Sequence, residues 1–315
     1  MRLRTQRRES EPPGCRRDVD VDLNLEPLRK RVGAALFDRV AGPQGERARD
    51  RIHGAAGPRW FGPDRPIRRV HGDAAMFVGG LRALLLQSLH PLAMAGVAGH
   101  SDYRQDPWGR LQRTSTFLAT TTFGTAAHAE AAVRRVRAIH QRVRGVTADG
   151  VPYHAADPHL LEWVHVAEVD SFLRCHQRYG ATSLTPAEAD GYVADTARVA
   201  LALGVPDPPT TTAALAARLA AYRPELRGTP EAREAAWFLL VKPPIPVPVR
   251  APYAALAAAA VASLPVWTRL PLRLPFLPVF EATAARLAGH GVTRVVRWAL
   301  PPVVDAPHGD DRAAG

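Results

Sequence analysis

Apolar positions recur along most of the chain at intervals of three and four residues, the spacing of one helix face, and runs with strand alternation are few. This periodicity predicts helices over 23–40, 74–98, 107–122, 125–144, 157–179, 185–203, 229–241, 253–264 and 278–299, with an Ala-rich helix between 206 and 235. Asp157-Pro158 and Thr185-Pro186 each pair a capping side chain with a proline suited to the first helical position, and Pro107 opens another helix after a polar loop. Gly145 and Gly180 stand where helices should stop. The segment KPPIPVPVRAP (242–252) carries too many prolines for a helix or a central strand. The fold class read from this pattern is all-α. A single large helical domain over 23–300 follows a basic disordered tail (1–22) and precedes a C-terminal tail (301–315).

Composition narrows this picture only a little. A chain of 315 residues with 46% hydrophobic and 23% charged residues can bury one sizeable core. The net charge of +11 comes almost wholly from arginine, but the arginines are scattered. Neither zinc-finger spacing nor an RNA-binding aromatic signature accompanies them, so nucleic acid is not an expected partner. Two cysteines, Cys15 and Cys175, make no disulfide framework and fit a reduced, cytoplasmic setting. The N-terminal MRLRTQRRESEPPG has arginine pairs without the apolar run of a secretory signal. Segment 74–99 is apolar enough to raise the question of a membrane span. Arg82, Gln87 and His90-Pro91 interrupt it, so a buried core helix is predicted, leaving at most a peripheral membrane contact. No protein partner is evident.

Candidate chemistry begins at VRRVRAIHQRVRG (133–145). On a helix, His140 shares a face with Ala129, Val133, Val136 and Val143, while Arg137 and Arg144 edge that face. Such a histidine is either a satisfied core residue or a ligand to something with an apolar body and an acidic rim. In GRLQRTSTFLATTTFG (109–124), Arg110, Thr114, Phe117 and Thr121 fall on one face, with Arg113 at its border. Cations and hydroxyls in an apolar face need partners. They are either satisfied within the helix or aimed at a bound anion or oxygen species. A short turn at 123–125 would make the two helices antiparallel neighbours. A haem has a broad apolar ring, two carboxylates and an iron that needs an axial ligand, and would suit such a cavity.

Elsewhere the residues keep several readings. His90, before Pro91, either lines a pocket or satisfies carbonyls freed by the proline. His100-Ser-Asp102 is a polar loop. Glu162-x-x-His165 has the spacing of a di-iron helix but lacks a second copy, and it sustains the alternative of a non-haem metal oxygenase. Cys175 reads as a buried structural thiol. Gly79-Gly80 inside a helix predicts close approach of another helix or a flat ring. There is no phosphate loop, nucleophile elbow or dinucleotide fingerprint.

Four segments in order, GGLRALLLQSLHP (79–91), HSDYRQDPWGRLQRT (100–114), VRRVRAIHQRVRG (133–145) and DPHLLEWVHVAEVDSFLRCHQRYG (157–180), resemble the latex-clearing-protein (rubber oxygenase) family. That family also takes in the MpaB-type oxygenases. The likeness is strongest to its uncharacterised actinobacterial branch and spans roughly 60–200. It implies an all-α fold, a haem b (iron) cofactor and oxidation of a small apolar unsaturated substrate, an isoprenoid or lipid, by dioxygen. A non-catalytic haem- or lipid-binding role is the other alternative. By the same resemblance His140 is the iron ligand, Arg137 its neighbour, and Arg110 and Thr114 shape the haem pocket. Where rubber-cleaving members carry lysine this chain has Arg113, whose guanidinium stays protonated and is a poor iron ligand. Apolar residues and His90 occupy the region where the family's acidic base is sought.

Overall fold

The computed structural model describes residues 25–100 and 104–300. Cys15, the predicted tails and the Ser101–Asp102 part of the polar loop lie outside them. The chain folds as α1 (Glu26–Ala41), α2 (Gly45–Arg49) running into a π-helical turn (Asp50–Gly54), α3 (Pro66–His71), α4 (Ala75–Gln87) and α5 (Pro91–His100). Next come α6 (Pro107–Phe123) and α7 (Ala126–His140), then a hairpin of β1 (Arg144–Val146) and β2 (Pro152–His154). Helices α8 (Pro158–Tyr179), α9 (Pro186–Leu203), α10 (Thr212–Tyr222) and α11 (Pro230–Leu240) follow. The last third holds α12 (Arg250–Ser263), the short α13 (Pro278–Phe280), a π-helical turn (Glu281–Ala285) and α14 (Arg286–Ala299).

The caps read at Asp157 and Thr185 form, and further caps join them. Asp106, Thr125, Asp157 and Thr229 each accept a backbone N–H in the first turn of α6, α7, α8 and α11. Thr185 and Glu188 close a full capping box on α9.

Three expectations are corrected. The single apolar helix over 74–98 is two helices, α4 and α5, meeting at 107°. Pro91 lacks the N–H needed to continue α4 and disfavours a helical residue before it. Helix α7 stops at His140 rather than 144, and Arg144, Gly145 and Val146 pair antiparallel with His154, Tyr153 and Pro152. The connector before 73 contains α2, its π-helical turn and α3.

The core is built around α8, which packs along α4. Leu85, Leu86 and Leu89 meet Trp163, Val166, Val169 and Phe172. On the other flank Val78, Leu81, Cys175 and Tyr179 pack with Ala257, Ala259 and Ala260 of α12 in a second cluster. No single described helix is long and apolar enough to cross a membrane.

The Gly79-Gly80 pair divides into two roles. A Cβ on Gly79 would stand 2.7 Å from Phe172 Cδ1 and 3.2 Å from its Cα, so this glycine is the close approach of α4 to α8, whereas Gly80 faces open space. Gly79→Ala should therefore destabilise by about 1–3 kcal/mol through overpacking. Gly80→Ala should stabilise by about 0.5–1 kcal/mol through helix propensity. Denaturant midpoints moving in the same direction for both variants would refute this division.

Arg82 of α4 is 0% exposed. Its guanidinium donates to Asp170 Oδ2 at 2.7 Å, to Ser171 Oγ at 2.5 Å and to the Ser263 carbonyl at 2.9 Å, tying α4 to α8 and α12.

Candidate functional site

Helices α6 and α7, joined by Gly124-Thr125, pack on each other, so the start of α6 and the end of α7 share one end of a helical hairpin. That end carries the residues singled out in the sequence. His140 is the last residue of α7, on the face that buries Ala129 and Val133. Its ring is half-buried, burial and the nearby His154 lower its pKa, and Nδ1 is buried with no hydrogen-bond partner. The imidazole is therefore neutral with one nitrogen unsatisfied, the state in which it binds a metal. Arg137, one turn earlier, is exposed and donates to the Ala202 carbonyl at 3.2 Å. Beside α7 a groove of about 420 Å³ is lined by Trp60, Glu130, Val133, Arg134, Arg137 and Ala202, and His140 is not part of its lining.

On α6 the side chains are placed differently. Arg110 is partly buried, while Arg113 and Thr114 are exposed. Thr114 Oγ1 donates to the Arg110 carbonyl at 3.0 Å, and Arg113 pairs with Asp106 at 3.1 Å. Thr121, deeper along the helix, is buried and donates to the Phe117 carbonyl at 3.0 Å. The threonines thus satisfy themselves within the helix. The α6 and α7 candidates thus stand on successive helices that are in contact.

A second constellation lies where α3, α6, α8 and α9 converge. His71 Nδ1 is 2.8 Å from Thr122 Oγ1 and its Nε2 is 3.2 Å from the Tyr192 hydroxyl. The His71 ring meets Phe172 edge-on at 5.5 Å. On α8, Leu161, His165, Glu168 and Phe172 share one face at helical spacing. Burial drives the pKa of His165 down to about 4 and that of Glu168 up to about 7, and the Glu168 charge helps push Tyr192 upward. Both His165 and Glu168 are partly buried. His165 Nε2 is buried without a partner.

Glu168 escaped the sequence reading. Its only signal is an acid on the apolar stripe of α8, four residues before Phe172. The Glu162/His165 pair does not converge on a shared ligand. Glu162 is held by Arg218 and by the Tyr222 hydroxyl at 2.8 Å, whereas His165 Nε2 has no partner.

The His90 imidazole makes no hydrogen bond to the elbow carbonyls. The Gln87 carbonyl accepts from Trp163 Nε1 at 3.1 Å and from the His90 backbone N–H at 3.3 Å, and the Leu89 carbonyl accepts from the Arg227 backbone N–H at 2.8 Å. His90 instead points towards His159 and Glu225. Its Nε2 is 3.4 Å from Glu225 Oε2, and His159 Nε2 is 2.8 Å from the same oxygen.

Comparison with known proteins gives one finding. The family described as ER-bound oxygenase mpaB/B'/Rubber oxygenase, catalytic domain, matches residues 68–298, from α3 to α14. No curated protein and no solved structure matches the chain.

Proposed function

Because the chain belongs to the mpaB/rubber oxygenase catalytic-domain family, we propose that it is a haem b-dependent oxygenase acting with dioxygen on a small apolar unsaturated substrate, an isoprenoid or lipid. One observation carries the cofactor assignment: the neutral, half-buried His140 imidazole with an unpartnered Nδ1 on an apolar helix face. The residues around it fit a haem. An apolar stripe suits the ring, and exposed cations along one edge suit the propionates. When bound, the haem supplies the activation of dioxygen at its iron.

The protein's own groups have separate tasks in this reading. His140 holds the iron, and the Val133 side of α7 excludes water from that face. Arg137 is one turn away with most of its guanidinium donors uncommitted to the Ala202 carbonyl, and it anchors a carboxylate. Arg110 and Thr114 shape the wall contributed by α6. Arg113, fixed by Asp106, sets a permanent positive charge at the mouth of that wall. Glu168 holds and releases a proton near neutrality, because burial places its pKa at about 7.

The test is the absorption spectrum of protein produced with a haem precursor, followed by a pyridine–haemochrome assay and the same measurements on His140→Ala. A Soret band with b-type haem in the wild type, and loss of haem retention in the variant, are expected. A colourless wild type that takes up no added hemin would sink the cofactor assignment. A His140→Ala variant with full haem content would sink the ligand.

A further inference from the structure

At the elbow between α4 and α5, three side chains from distant parts of the chain converge. His90 comes from the elbow, His159 is the second residue of α8, and Glu225 ends the 3-10 turn (Arg223–Glu225) after α10. One nitrogen from each imidazole and a carboxylate oxygen all lie within 4.8 Å of one another. We propose that His90, His159 and Glu225 bind one divalent first-row transition cation, Zn²⁺ foremost, at a site that includes neither His140 nor any residue of the groove beside α7.

Several independent features support a built site over a chance meeting of polar groups. His90 is 2% exposed, yet neither ring nitrogen makes a hydrogen bond. An unsatisfied imidazole buried this deeply costs stability unless something takes its lone pair. Its Nε2 lies 3.4 Å from Glu225 Oε2, matching the roughly 3.3–3.5 Å between neighbouring ligand atoms around a tetrahedral ion with bonds of about 2.0–2.1 Å. His159 and Glu225 stand closer, at 2.8 Å, but both are about half exposed and can part by the few tenths of an ångström required.

The groups behind the ligands are arranged as metal sites need them. Tyr222 Oη is 3.2 Å from His159 Nδ1 and 2.8 Å from Glu162 Oε2, and Glu162 is in turn paired with Arg218. A proton on His159 Nδ1 can be donated to the tyrosine oxygen while the tyrosine donates to the carboxylate. This fixes the tautomer that leaves Nε2 free for a cation. The His90 ring is packed beside Trp163 at 6.1 Å between centroids, which limits its rotation. Two imidazoles and one carboxylate form a borderline donor set that suits Zn²⁺ and its neighbours better than Mg²⁺ or Ca²⁺. Three protein ligands leave the fourth position to water on the exposed side. The ligands span residues 90 to 225, so a bound ion clips the elbow to α8 and to the turn after α10.

The experiment uses the full chain with whatever haem it carries, stripped with a chelator and desalted, then titrated calorimetrically with Zn²⁺ and spectroscopically with Co²⁺. Expected is one tight equivalent, with tetrahedral-type Co²⁺ bands and a rise in Tm of about 5 °C at a hundredfold excess over Kd. His159→Ala and Glu225→Gln, both at exposed positions that should leave folding intact, are each expected to weaken binding by at least about 100-fold. Tyr222→Phe should weaken it by about 10-fold through the lost support of His159. Equal Zn²⁺ affinity in the wild type and both ligand variants would overturn the proposal, since the ion would then sit elsewhere. So would a wild type that binds no Zn²⁺. Because haem content is not the readout, the outcome is independent of whether His140 holds iron.

Discussion

Glu168→Gln is expected to stabilise the fold by about 3 kcal/mol at pH 8 and by almost nothing at pH 4. In the folded protein burial lifts this carboxyl from its usual 4.5 to about 7. The unfolded chain therefore loses the proton between pH 4.5 and 7 while the native state keeps it. Over that window stability declines as pH rises, and above pH 7 the native state carries a buried charge at full cost. Glutamine resembles the protonated form at every pH and removes the decline. Urea unfolding of both proteins at several pH values between 4 and 8 measures the difference directly. Parallel stability curves would show that Glu168 is solvated like a surface acid. The histidines act in the opposite sense. His71 and His165, lowered by burial to about 3 and about 4, are neutral in the fold and contribute stability that is lost as pH falls below the ordinary histidine range. The wild type should thus be most stable at mildly acidic to neutral pH, and the variant should keep its stability further into the alkaline range. If Glu168 handles a proton in turnover, the same substitution should lower activity while raising stability, the usual direction of trade at a tuned site.

Removing the Arg82 guanidinium should cost more than any change on the outer helices. Arg82→Met is expected to lower unfolding free energy by about 3–5 kcal/mol at neutral pH, because it strands one side of a buried ion pair. Asp170 is 4% exposed and would keep only Arg174, which bonds its other oxygen at 2.7 Å. The Ser263 carbonyl and Ser171 hydroxyl would lose their contacts with the same cation. The double variant Arg82→Met/Asp170→Leu should recover much of the loss, since an apolar pair in place of a buried ion pair is often close to neutral. A double-mutant cycle by chemical denaturation separates the pair from its surroundings. A single variant within about 1 kcal/mol of wild type would mean that water reaches Asp170.

These two effects also mark the limits of reading the chain unaided. Helix periodicity and cap chemistry are local, and they located the starts of α6, α8, α9 and α11 from Pro107, Asp157-Pro158, Thr185-Pro186 and the segment at 229. The proline at 91 was visible as an interruption. How far it bends the chain was not, because the bend depends on the donors that satisfy Gln87 and Leu89, and these include residues 163 and 227. Gly79 was legible as a point of close approach, but its equivalence with Gly80 was not to be trusted, since only the packing of α8 tells them apart. His140 stood out because a polar residue in an apolar stripe is a local anomaly. Glu168 has the same property, yet it sits in a helix rich in charged positions where one more acid draws no notice. The His90/His159/Glu225 cluster has no local signature at all. Its members are separated by more than sixty residues each and meet only through the elbow.

The elbow also has a consequence for synthesis. Residues 75–100 emerge as a largely apolar stretch, and the local hydrogen bonds of the bend, such as His90 N–H to the Gln87 carbonyl at 3.3 Å, do not reach the Leu89 carbonyl. The backbone N–H that satisfies the Leu89 carbonyl belongs to Arg227, and at about 5–20 residues per second it leaves the ribosome about 7 to 28 seconds later. During that interval the stretch has the composition of a membrane segment without its finished geometry. A helper that shields nascent apolar chain should find its binding site there, and release should coincide with completion of the segment around 227.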